Sequence, residues 1–231
     1  MREPRALLFD LDDTLYPRAW FARSGFRAVA QRLERDFGLA GLDAVHALNI
    51  FHVSHPGREF QELCRRFDLP ASIVPSLVGT VRTHAPSIRL PEETAIVVRE
   101  LRAGWRIGIV TNGLPATQRR KIEALGVAAL VDDVLFAAEH GARTGKPDPA
   151  AFAAALDRLR VPARRAVFVG DDLAADIGGA AAAGMRTIHF TGFDPAPTGP
   201  APAPDACVRS MLDVARVAGQ LVPVEEWKHV A

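Results

Sequence analysis

The chain has only two cysteines, Cys64 and Cys207, in 231 residues. They stand far apart and fit no CxxC or zinc-ligand spacing, which removes a disulfide framework and a thiolate metal site. They read as reduced thiols of a cytosolic protein. An excess of one charge is missing as well. Twenty-eight basic residues face 27 acidic ones, for a net charge of +1. No global field therefore points to nucleic acid or to an anionic membrane. No apolar run reaches the length of a membrane span. The start, Met1-Arg2-Glu3-Pro4-Arg5, has no long apolar core behind it and is not expected to act as a signal peptide. Nothing repeats at a solenoid period. Lysine is scarce too: Lys121, Lys146 and Lys228 stand among many arginines, so each lysine carries more weight. What remains is a globular protein of ordinary make-up, 48% hydrophobic and 24% charged, expected in the cytoplasm. Its length suits one large domain or a domain with an insert. Monomer and homodimer both stay open.

The organising stretch is Ala6–Leu15. Leu7, Leu8 and Phe9 form a short apolar run, as in a strand buried on both faces of a parallel sheet. It runs directly into Asp10, Asp12 and Asp13. From Trp20 to about Phe37 the apolar spacing is helical, with Phe21, Phe26, Val29, Ala30 and Leu33 on one face. Further helices are expected near Leu42–Val53, Arg58–Phe67 and Ala71–His84, and nothing from Tyr16 to Pro86 reads as a strand. So many helical residues exceed a βα crossover. Residues 16–86 are therefore expected to form an inserted helical cap, with 1–15 and 87–231 as a Rossmann-like core.

From Pro91 helices and strands alternate. Strands are expected at Arg106–Val110, Val134–Ala137, Ala166–Val169, Arg186–Phe190 and near Ala206–Val208. Helices are expected at Glu92–Ala103, Pro115–Leu125, up to Leu159 behind an Asp148 N-cap, at Leu173–Ala183 and near Ser210–Gln220. This rhythm gives an α/β fold, a three-layer parallel sheet covered on both faces. The Pro/Ala-rich stretch 195–204 reads as an extended loop.

Four strand ends carry polar groups: Asp10 with Asp12, Thr111 with Asn112, Lys146 in the loop after the third strand, and Asp171 with Asp172. Parallel strands bring all four to one sheet edge, where ligands of open α/β sheets bind. Neighbouring carboxylates repel unless a cation neutralises them, which suggests an oxygen-ligand site for magnesium. An Asp-rich turn after a strand is the plainer alternative. A hydroxyl, a lysine and a cation-requiring carboxylate group together suit a phosphate.

Taken together, these motifs resemble those of the haloacid dehalogenase superfamily. Asp10-Leu11-Asp12-Asp13-Thr14 is similar to its DxDx[TV] motif, and Val110-Thr111-Asn112-Gly113 to its second. Gly145-Lys146-Pro147-Asp148 is similar to the third, and Gly170-Asp171-Asp172 through Asp176 to GDxxxxD. The resemblance implies Asp10 as a nucleophile forming an aspartyl-phosphate, and Asp12 as general acid and base. It implies magnesium on the Asp10 side chain, the Asp12 backbone carbonyl and Asp171, with Asp176 supporting the metal from outside. Thr111 and the Asn112 backbone would bind the phosphoryl oxygens, and Lys146 would offset the charge shared by Asp10 and phosphate. Lys146 as a solvated lysine, Thr111 as strand-end filler, Asp13 as a turn residue and Asp172 as a helix cap are the plainer readings.

Dehalogenases of the superfamily lack the second acid, so Asp12 points to phosphate chemistry. The implied activity is a magnesium-dependent phosphatase for a small phosphorylated metabolite, with no nucleic-acid or membrane partner. A phosphomutase and a non-catalytic phospho-ligand binder are the alternatives. The C1-type cap would choose the substrate, with Arg23, Arg27, His46, His52, His55 and Arg58 as its polar candidates. His52 and His55 are expected as loop or surface histidines rather than a metal pair. Phe21, Phe26, Phe37 and Phe51 are expected in the bundle core.

Overall fold

The computed structural model describes residues 3–140, 145–193 and 202–224. The proline-rich stretch 195–204 and the tail 222–231 lie mostly outside them. Six strands pair in parallel: β1 (Ala6–Phe9), β2 (Arg106–Thr111), β3 (Asp133–Phe136), β4 (Ala166–Gly170), β5 (Arg186–Phe190) and β6 (Ala206–Val208), in the order β3-β2-β1-β4-β5-β6. Every residue of β1 and β4 is buried, as their apolar sequences require of strands covered on both faces. Phe9 lies level with Ile109 on one side and Val169 on the other. The polar residues that follow these strands therefore emerge at nearly one height. The chain builds β2 and β3 on one side of β1, then crosses to place β4 on the other. That reversal opens a crevice at the carboxyl ends of β1 and β4.

The chain divides into two compact units, one of Arg18–Ile88 and one of everything before and after it. The first is all-helical among its described elements: α1 (Arg18–Phe37), α2 (Gly41–Ser54), α3 (Glu59–Arg66) and α4 (Val74–Thr83). It has its own core of Phe26, Val29, Leu33, Leu48, Leu63 and Leu77. Phe21 and Phe26 are buried as the helical spacing predicts, whereas Phe37 is 42% exposed. It ends α1, just before Gly38 turns the chain away with φ of 69°, so no neighbouring helix covers it. His52 packs edge-on to Phe26, while His55 bonds Ser54 and packs on Phe51. The two histidines thus face different partners.

In the sheet-bearing unit, α5 (Glu92–Leu101), α6 (Pro115–Leu125), α7 (Pro149–Leu159), α8 (Gly179–Ala182) and α9 (Met211–Leu221) flank the strands. On one face Phe152 of α7 meets Phe168 of β4 edge to face at 5.0 Å, beside Leu8, Val110 and Leu135. Each such fully buried side chain is worth about 1.5–3 kcal/mol. Asp148 caps α7 by accepting from the Ala150 N–H at 2.9 Å, as the Asp-Pro start predicts. The segment Leu173–Ala183 departs from the single α-helix expected. Its first six residues, Leu173–Gly178, wind as a wider π-turn, with the Ile177 N–H reaching the Asp172 carbonyl at 3.1 Å. The wide turn carries Asp176 inward, where two polar partners hold it.

Candidate active site

Three carboxylates converge at the β1/β4 crevice. Asp10 leaves β1 with its N–H bonded to the Val169 carbonyl at 2.9 Å. Asp171 follows β4, and Asp176 comes from the π-turn. One oxygen from each lies within 4.8 Å of the other two. Asp10 and Asp176 are buried. Lys146 answers them, with Nζ 2.5 Å from Asp10 Oδ1 and 2.6 Å from Asp176 Oδ1. Among the described residues it is the only cation paired with this group, so negative charge stays in excess.

The acid–base behaviour reflects that excess. Burial, then Asp176 and Asp12, hold the Asp10 carboxyl well above the usual range against the pull of Lys146. Burial alone would lower the Lys146 ammonium, but Asp10 and Asp176 reverse this and raise it. Burial, then Asp176 and Asp13, push Asp171 up to about 7. A buried set of hard oxygen donors short of positive charge fits a divalent cation such as magnesium. Asp171 is aimed by its neighbours, since Thr14 Oγ1 donates to its Oδ1 at 3.3 Å and His189 Nε2 lies 2.9 Å from its carbonyl.

The folded state of metal-free protein keeps the Asp171 proton between 3.8 and about 7, where the unfolded chain has released it. Stability from this group is therefore full below the lower value and lost as pH rises through the upper one. Melting temperatures in EDTA and in magnesium should diverge across that window, with magnesium protecting most near neutral pH. Parallel curves would contradict a cation-requiring carboxylate set.

Lys146 is itself held by the neighbouring loop. The Asn112 side chain donates from Nδ2 to the Lys146 carbonyl at 3.0 Å and accepts from the Lys146 N–H at 2.8 Å. Asn112, expected to act through its backbone, thus also ties the loop after β2 to the lysine. Gly145 makes the approach possible. Its φ is 98°, and a Cβ there would run into the Asn112 carboxamide, so only glycine suits the position. Asp172 caps the π-turn, its Oδ1 accepting from the Ala174 and Ala175 N–H groups at 2.8 Å. Asp13 is buried with φ of 59°, in the tight loop where its N–H meets the Tyr16 carbonyl at 2.9 Å.

Asp12 lies apart from the triad and faces α6. Its Oδ1 accepts from Tyr16 OH at 2.6 Å and Lys121 Nζ at 2.8 Å. Its Oδ2 accepts from Lys121 Nζ at 2.7 Å and Gln118 Nε2 at 2.9 Å. Burial would raise this carboxyl, but Lys121, with Tyr16 and Gln118, outweighs it and holds the group below the usual range. Gln118 Nε2 also donates to Thr111 Oγ1 at 2.6 Å. Tyr16, Gln118 and Lys121 were not among the expected site residues. A signal existed for two of them: Gln118, Lys121, Ile122 and Leu125 share the buried face of α6 at the i, i+3, i+4, i+7 spacing. Polar residues at core positions of an amphipathic helix call for partners.

Fold and site together set a buried carboxylate–lysine pair at the switch point of a parallel α/β sheet. The chain matches the family model of haloacid dehalogenase-like hydrolases over residues 4–184. The chain belongs to that family, as a phosphoric monoester hydrolase. It is 33% identical over 197 residues to a glyceraldehyde 3-phosphate phosphatase of Methanopyrus kandleri, covering 80% of this chain and 83% of the relative. It is 31% identical over 209 residues to a ribulose-1,5-bisphosphate 5-phosphatase of Halopiger xanaduensis, covering 80% and 84%. The crystal structure of 2-haloacid dehalogenase from Pseudomonas syringae pv. Tomato is 22% identical, with a TM-score of 0.62 over 94% of this chain and 99% of that one. That likeness concerns the fold alone, which phosphatases and dehalogenases share. No described helix is long and apolar enough to cross a membrane.

Proposed function

We propose that the protein is a magnesium-dependent phosphomonoesterase for a small phosphorylated metabolite, working through an aspartyl-phosphate on Asp10. The observation that carries this reading is the buried Asp10–Lys146 pair at the β1/β4 crevice, with a second carboxyl, Asp12, two residues on. Asp10 attacks phosphorus with one carboxylate oxygen. Lys146 offsets the charge gathered there, and Thr111 and the Asn112 backbone position the phosphoryl oxygens. Asp12 gives its proton to the leaving oxygen and afterwards takes one from the water that opens the acyl phosphate. An arriving phosphate dianion raises the proton affinity of Asp12, which the resting structure holds as a carboxylate. The Asp10 and Asp171 side chains and the Asp12 carbonyl would hold magnesium, with Asp176 supporting from behind Lys146. Magnesium would supply charge neutralisation for the phosphoryl group. The relatives named above act on phosphorylated sugars, which supports substrates of that size, and the helical unit Arg18–Ile88 is proposed as the cap that selects among them.

Phosphate release from a panel of sugar phosphates, phosphoglycolate, nucleotides and an aryl phosphate tests the reading. Release with magnesium, lost in EDTA, is the expected result. A phosphatase insensitive to EDTA would contradict the proposed metal. A requirement for a sugar bisphosphate primer would point to a phosphomutase instead.

A further inference from the structure

The proposed mechanism uses Asp12 but leaves its three partners without a role. Their geometry is specific. Two carboxylate oxygens receive four donor contacts, two of them from Lys121 Nζ. Tyr16 is fully buried, Gln118 is 2% exposed and Lys121 is 6% exposed. A lysine on the buried face of α6 is tolerated only with a partner of opposite charge, and Asp12 is that partner. Gln118 Nε2 bridges Asp12 and Thr111 Oγ1, so one donor sets the distance between the acid and the hydroxyl assigned to the phosphoryl group. Lys121 bonds Asp12, not Asp10, and so acts on the chemistry through another side chain.

We infer that Lys121, with Gln118 and Tyr16, is a positioning clamp that fixes the direction in which the Asp12 carboxyl meets the leaving oxygen. The inference rests on the phosphatase reading. In the step concerned, a bond forms between an Asp10 oxygen and phosphorus while the bond from phosphorus to the ester oxygen breaks. Asp12, protonated from solvent once the phosphate dianion is bound, passes that proton to the ester oxygen, so the product leaves as an alcohol and Asp12 returns to a carboxylate. A leaving group stable as an anion has little need of the proton. A misaimed Asp12 therefore harms alkyl esters more than aryl esters, whereas a general loss of structure harms both alike.

The test compares kcat/KM, which reports steps through formation of the phosphoenzyme, for an alkyl phosphate and for p-nitrophenyl phosphate. The full chain is used in saturating magnesium. Lys121→Met should lower the alkyl value by about 10²-fold, the lower end of what general acid catalysis contributes, and the p-nitrophenyl value far less. Lys121→Arg, which keeps donors for both oxygens, should recover most of the loss. Tyr16→Phe, which removes one oxygen from a buried ring, should show a smaller loss with the same skew, and it decides the matter if Lys121→Met does not fold. In metal-free crystals of Lys121→Met, or of Tyr16→Phe should the former not fold, the Asp12 carboxylate should turn from its wild-type direction. Equal losses on both substrates, no loss on either, or an unmoved Asp12 would overturn the clamp while leaving the phosphatase reading intact. A wild type that hydrolyses neither ester, nor any member of the wider panel, would overturn that reading and the clamp with it.

Discussion

Asp10→Asn should abolish phosphate release, lowering kcat by more than about 10³-fold, while the protein folds with an unchanged far-UV spectrum. The carboxamide fills nearly the same space at the end of β1 but is a poor nucleophile, so the covalent route closes. The loss should fall on kcat with little change in KM, because the phosphoryl contacts assigned to Thr111, Asn112 and Lys146 remain. The substitution also removes one negative charge from a buried group that carries an excess of it. Metal-free Asp10→Asn protein should therefore be as stable as the wild type or more so. Activity within tenfold of wild type would show that Asp10 is not the attacking group.

Lys146→Met should have the second largest effect, on stability as well as turnover. Lys146 is 6% exposed and bridges Asp10 and Asp176, each near 2.5 Å away. Its removal leaves two carboxylates facing each other in a buried place. Breaking a buried pair from one side costs about 3–5 kcal/mol. For a chain of this size that lowers the melting temperature by roughly 10 °C in metal-free protein. Turnover should fall as well, because the phosphoryl charge and the Asp10 charge lose their common counter-ion. The loss of stability should shrink at acid pH, where the stranded Asp10 carboxylate, already raised by burial, protonates. A Lys146→Met protein as stable as the wild type at neutral pH would contradict the Lys146 ammonium as the counter-ion of this buried group.

Much of this was legible in the sequence because the informative groups sit at strand ends. A short apolar run followed by Asp10, and another followed by Gly170-Asp171, each announce a buried strand and the polar tip it carries. Parallel pairing then places Asp10, Thr111, Lys146 and Asp171 at one edge with no further information. The caps and stops were equally local: Asp148 before Pro149, and Gly126 at the end of α6 with φ of 63°. What stayed hidden depends on contacts between distant residues. Lys121 lies on the face of α6 that the helical spacing buries, but nothing local shows that its partner is Asp12, 109 positions away. Tyr16 lies in the loop that leaves β1, yet its hydroxyl returns to Asp12. The Asp176 carboxylate comes within reach of Asp10 and Asp171 on a turn wound wider than an α-helix, and no periodicity of side chains reports that winding. Phe37 shows the converse, an aromatic at a helix end that local spacing put in the core and the structure leaves exposed.

The most direct test of the central claim is to catch the covalent intermediate. Wild-type protein mixed with labelled phosphomonoester and quenched in acid within one turnover should carry the label on protein. Proteolysis should place it in the peptide containing Asp10, and hydroxylamine should release it, as expected for an acyl phosphate. Label on a histidine or serine would contradict the account. So would turnover with no labelled protein and inverted configuration at phosphorus, because water would then attack the ester directly and Asp10 would have some other task.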